Sequence, residues 1–226
     1  MSISLGALKT QVAAAIRDPN GKTFTPTIVV SLIQAALATL GRVAPEEFQE
    51  DLTPVANVNE YVLRSAAFSE AIPEIEVKRV EVWDGSQVPD QLLAIVLSSA
   101  GQPDPHSQAG YTVWNGKLQL PRYVPLMCVG HEDAYLIRVW GYSPYAPPTD
   151  DNSTINISNE LQWALDECVR VEVLTRLIGD RNLFTQWQTR MGNTDITPAA
   201  LANELNMARD NWRKTAREIS RLRASG

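Results

Sequence analysis

Two histidines, His106 and His131, and two cysteines, Cys128 and Cys168, are the chain's whole stock of soft metal ligands and strong nucleophiles. Cys128 and His131 are spaced as half of a zinc site, but a structural zinc takes four ligands. Cys168 falls in a helical pattern and His106 in a proline-rich loop, so no second half is expected. Both cysteines lie in apolar stretches and read as reduced core residues. The paired carboxylates Glu46 and Glu47, Glu132 and Asp133, and Asp150 and Asp151 are neighbours in sequence. On a strand or loop such neighbours point apart, which does not suit an acid and base flanking one bond. There is no nucleophile elbow, phosphate loop or dinucleotide fingerprint. The expectation is a protein that is not an enzyme and has no cofactor or metal.

Two patterns suit binding instead. Trp140, Tyr142 and Tyr145 are aromatic residues near polar loops that could stack on sugars, although Trp140 and Tyr142 share a strand face, where aromatics commonly pack on a core or interface. The second pattern is cationic. Arg209, Arg213, Lys214, Arg217, Arg221 and Arg223 oppose only Glu204, Asp210 and Glu218, in a chain of net charge -6. Leu201, Leu205, Ala208, Trp212, Ala216, Ile219 and Leu222 recur at steps of three and four, which puts them on one helical stripe. Thr197 is placed to cap that helix, and Pro198 suits its first turn. A terminal helix whose charge opposes that of its molecule is expected to meet a partner, with Trp212 as its largest anchor.

Helices are expected at both ends of the chain. Leu5, Leu8, Val12 and Ile16 mark one over 5–17, stopped by Asp18, Pro19, Asn20 and Gly21. A second starts at Thr25 and Pro26 and stops at Gly41, making an antiparallel pair with the first. Ser158 and Asn159 are candidate caps for a buried helix ending at Gly179, and Leu183 to Met191 should link it to the terminal helix. Between these ends, prolines and glycines punctuate short extended runs: Tyr61 to Leu63, Ile75 to Trp83, Leu92 to Leu97, Tyr111 to Pro121 and Ala134 to Tyr142. Asn115 and Gly116 predict a two-residue hairpin. The stretch from Tyr142 to Asn152 reads as a proline-rich linker. The fold class is therefore α+β: a helical bundle from residues 1–44 and 151–226 with a β-rich inserted part over 45–150.

Composition narrows the function further. At 226 residues and 44% hydrophobic the chain can bury a sizeable core, and disorder is not the default. Its acidic balance argues against general nucleic-acid binding, which needs a basic face. No run approaches the ~18 apolar residues of a membrane helix, and the first fifteen residues do not read as a secretory signal. The Gly101 to Gly110 loop and the C-terminal basic residues lack the apolar content that would fix them alone.

Two N-terminal helices, a β-rich insert, a proline-rich return and two long C-terminal helices resemble the head-to-tail adaptor proteins of tailed bacteriophages, of the tail tubular protein A type. The wording that fits is Tyr61-Val-Leu63, the strand from Ile75 to Trp83, the run from Trp114 to Pro121, and the run from Leu136 to Tyr142 with prolines after it. The resemblance spans nearly the whole chain and rests on order rather than on any diagnostic motif. It implies a structural virion protein of the neck, assembled in the host cytoplasm as a ring, commonly of twelve subunits. Such a ring docks beneath the portal protein, meets a tail or neck protein, and lets DNA pass without sequence-specific binding. Arg209, Trp212, Arg213, Lys214, Arg217, Arg221 and Arg223 then become the residues expected to dock on the portal. The alternative is a β-rich surface module of a virion that binds a receptor or glycan.

Overall fold

The computed structural model describes residues 2–16, 18, 21–65, 67–68, 74–96, 110–191 and 196–224. The expected loop from Gly101 lies outside them up to residue 109, as does His106. The fold is α+β, and the chain divides into two compact units: Met1–Pro45 with Tyr145–Gly226, and Glu46–Pro144.

The first unit is mainly helical. Strand β1 (Ser2–Ser4) runs directly into α1 (Leu5–Ala15), because the Ser4 hydroxyl accepts the Ala7 N–H at 3.2 Å and caps the helix. Helix α2 (Pro26–Gly41) begins as expected, with Thr25 as cap and Pro26 in the first turn. The chain leaves this unit for Glu46–Pro144 and re-enters it before β9 (Thr154–Asn156). Strand β9 pairs antiparallel with β1, Ser2 opposite Asn156. Helix α4 (Asn159–Gly179) follows; Ser158 holds the cap position in extended conformation but makes no side-chain capping bond. Asp180 caps α5 (Arg181–Met191) by accepting the Asn182 and Leu183 N–H groups at 3.1 and 3.0 Å, which starts that helix two residues earlier than expected. Helix α6 (Pro198–Ala224) closes the chain, and the Thr197 hydroxyl accepts the Ala200 N–H at 3.2 Å. Leu8, Ile33, Leu37, Leu40, Leu165, Leu177 and Leu201 lie in the shared core.

The stretch expected as a linker belongs partly to this core. Tyr145 is buried among the helices, and the Gln34 amide donates to the Pro148 carbonyl at 3.1 Å.

The second unit holds two antiparallel sheets. The larger has strand order β2-β8-β4-β5, from β2 (Glu46–Leu52), β8 (Tyr135–Ser143), β4 (Glu76–Asp84) and β5 (Gln91–Val96). The smaller has order β3-β7-β6, from β3 (Glu60–Val62), β7 (Lys117–Gln119) and β6 (Thr112–Trp114). Asn115 and Gly116 both have positive φ, 50° and 73°, which joins β6 to β7 in the expected two-residue hairpin. Helix α3 (Tyr123–Cys128) and strand β2 were not expected. The core of this unit gathers Phe48, Leu63, Val80, Val82, Leu118, Ile137 and Val139. Gly141 is required where β2, β8 and β4 meet, since a Cβ there would run into the Glu76 carbonyl and the Phe48 ring.

Candidate docking surface on the C-terminal helix

The apolar stripe of α6 is already engaged. Leu201, Leu205, Ala208 and Ile219 are buried in the core of the helical unit, and Trp212 packs against the same cluster half-buried. Thr215, which sequence periodicity passed over, is buried on this face too. Two expectations are thereby corrected. Trp212, expected as an anchor for a partner, packs half-buried against the chain's own core. Leu222 is 73% exposed, so the packed stripe ends at Ile219. The physical reason is that periodicity reports that a face is buried and not what buries it.

The opposite face is cationic and solvated. Arg209, Arg213, Lys214, Arg217 and Arg221 are all exposed. Arg209, Arg213, Arg217 and Arg221 stand four residues apart, about 6 Å along the axis per step, and so form one slowly winding ridge. Arg213 pairs with Asp210 at 3.0 Å, and both side chains are largely exposed, so the pair contributes little. Arg209, Lys214, Arg217 and Arg221 have no carboxylate within 4 Å among the described residues. The Arg223 side chain lies outside the described residues. Such a row can form charge-assisted, bidentate bonds to carboxylates, and it offers no group that could cut or transfer a bond.

The aromatic run does not form one platform. Tyr145 belongs to the core of the helical unit, whereas Trp140 and Tyr142 lie on β8 in the other unit. These two are on the outer face of the larger sheet, opposite Ile137 and Val139, and each carries its own cation. Arg79 lies over Trp140 at 5.5 Å and Lys78 over Tyr142 at 5.4 Å. Register aligns Asp51, Arg138, Glu81 and Ile95 across β2, β8, β4 and β5. Arg138 is held by Asp51 at 2.7 and 2.8 Å and by Asp90 at 3.0 Å, with its guanidinium over Trp83 at 5.0 Å.

Glu81 is the unexpected member of that face, a carboxylate with 0% exposure. It accepts the Trp83 indole N–H at 2.6 Å and pairs with Arg79. Long cationic and aromatic side chains fold over it, which is how a polar sheet face buries a charge without a second layer. Asp18 is a second residue that sequence reasoning passed over as a turn former. It is buried and accepts three backbone N–H groups, from Lys22, Thr23 and Phe24, at 3.0, 2.6 and 2.7 Å.

Cys128 is buried at the end of α3, while His131 stacks on Tyr135 with ring centroids 4.8 Å apart. Among the described residues no group of three or more His, Cys, Asp or Glu side chains could hold a metal ion, and no helix is long and apolar enough to cross a membrane. No protein-family model matches the chain, and no curated protein matches it in sequence.

Proposed function

We propose that the chain is a structural virion protein: the head-to-tail adaptor of a tailed bacteriophage, assembled as a ring that docks on the portal and joins the DNA-filled capsid to the tail. The observation that carries this reading is the charge segregation on α6. Six cations against three acids leave that helix at +3, so the rest of the chain carries -9. Its cations face solvent while its apolar face is used internally, which leaves electrostatics as the means of recognition. Complementary potentials set partner choice, register and association rate more than raw affinity. The acidic remainder suits a wall past which DNA slides, because a like-charged surface does not retain a polyanion.

The order of elements along the chain supports the same reading. Under it the partners are the portal, further copies of the chain and a tail or neck protein, and the location is the virion neck. The test is capture by purified portal of the triple variant Arg209→Glu, Arg213→Glu, Lys214→Glu. These side chains are exposed, so the fold should be retained, and capture should fall at least about tenfold, since each charge reversal replaces attraction with repulsion. Particles made with the variant should package DNA and then lose it without attaching a tail. Unchanged capture by portal would remove the role assigned to α6.

A further inference from the structure

The helical unit contains a groove of about 840 Å³, bordered by α1, α4, α5 and the start of α6. Its floor is apolar, from Val12, Val173, Leu177 and Leu201. Its rim is acidic: Asp166 and Glu167 from α4 and Glu204 from α6 face it, with Arg170 as the cation among the described lining residues. One observation indicates that this rim lacks a donor: the Oε2 atom of Glu167 is buried and has no hydrogen-bond partner among the described residues. A buried acceptor left unbonded carries a penalty that an arriving donor removes.

The densest run of exposed cations in the chain, Arg213, Lys214, Arg217 and Arg221, lies on the same helix towards its other end. Glu204 and Arg217 are thirteen residues apart on α6, about 20 Å along the axis, further than an arginine side chain spans. One copy therefore cannot bring its own helix end to its own groove. A second copy can. We propose that the groove seats the end of α6 that bears Arg217 and Arg221 from a neighbouring copy, the acidic rim taking the guanidinium groups and the apolar floor taking their aliphatic stems.

Donor and acceptor patches differ, so the contact is heterologous, and a heterologous contact closes into a ring when its rotation permits. The inference rests on the ring reading and refines it: Arg217 and Arg221 serve the neighbour, leaving Arg209, Arg213 and Lys214 for the portal. The groove's volume accommodates a few side chains rather than a domain, so each contact is weak singly and gains from closure of the ring.

The test compares three forms of the full chain by sedimentation velocity at low salt, up to millimolar concentration. The wild-type mass should rise above 25.0 kDa with concentration. Asp166→Lys with Glu204→Lys should weaken that association at least about tenfold, and so should Arg217→Glu with Arg221→Glu, by placing like charges together. An equimolar mixture of the two double variants restores opposite charges at both contacts, and association should return. That recovery also shows that each variant is folded. A wild type that stays at 25.0 kDa throughout, association indifferent to either reversal, or a mixture no better than its parts overturns the contact. Portal capture of the wild type is read separately: a wild-type chain that self-associates but is not captured by portal refutes the adaptor reading and leaves the groove contact standing.

Discussion

Replacing Asp18 should destabilise the helical unit more than its place in a surface turn suggests. The side chain is 8% exposed, and two of the amides it accepts, those of Thr23 and Phe24, belong to buried residues. Arg190 reaches the same point from α5, donating to the Thr23 hydroxyl at 2.8 Å. In Asp18→Ala those two buried N–H groups lose their acceptor, at about 1–3 kcal/mol each, while the Lys22 amide recovers water. The expected loss is about 2–6 kcal/mol, a large part of the 5–15 kcal/mol typical of a whole domain. Asp18→Asn keeps one oxygen and the shape but gives up the charge, so about 1–2 kcal/mol is expected. Burial pushes the Asp18 carboxyl up, but the three N–H bonds and Arg190 together outweigh it and hold the group below its ordinary value of 3.8. A lowered folded-state pKa gives stability that is complete above the unfolded value and disappears as pH falls through the folded one. The gap between wild type and Asp18→Asn should therefore be full near neutral pH and close below about pH 4. Urea unfolding followed by far-UV circular dichroism, which the helical unit dominates, measures both effects. An Asp18→Ala protein within about 0.5 kcal/mol of wild type, or a gap that persists in acid, would refute the reasoning.

Two further outcomes test other parts of the molecule. Glu81→Ala should destabilise the β-rich unit by about 2–3 kcal/mol, mainly by stranding the Trp83 indole N–H, because Arg79 is more than half exposed and returns to water. Glu81→Gln, which retains an acceptor for Trp83, should lose only about 1 kcal/mol, and equal losses in thermal melts of the two variants would show that the indole bond is not the main contribution. Both thiols should resist a disulfide reagent in the native state: burial, reinforced by Glu172 and Glu167, pushes Cys168 up to about 12, while burial and then Glu132 raise Cys128. Rapid stoichiometric labelling of either before unfolding would contradict their buried placement.

Elements with local signals were legible in the sequence. Thr25 with Pro26, Thr197 with Pro198, and Asn115 with Gly116 each specify a backbone conformation within a few residues, and each appears where periodicity put it. Strand β2 was illegible for the opposite reason. Its sequence, EEFQEDL, offers one large core residue, Phe48, among acids that disfavour strands, and its partner β8 lies far along the chain. Pairing with β8 fixes β2, and pairing is not a local property. Asp18 and Glu81 fail similarly: one reads as a turn residue and the other as the polar half of an alternating strand. Asp18 is held by amides four to six residues on, and Glu81 by the Trp83 indole and Arg79 of its own strand, side-chain placements that a pattern of polar and apolar residues does not report.

The docking surface was half legible, and the missing half changes what it can do. Composition located the arginines, and periodicity located the stripe beside them. Treating both as offered to a partner counted the stripe twice, since Leu205, Ala208, Thr215 and Ile219 are buried within the chain that carries them. A helix that has committed its apolar face to its own core retains charge and hydrogen bonding for association. Contacts of that kind are screened by salt, form quickly and hold weakly one at a time. On the adaptor reading proposed above, a cationic ridge over a buried stripe would supply association that is weak between two copies and strong when many engage together.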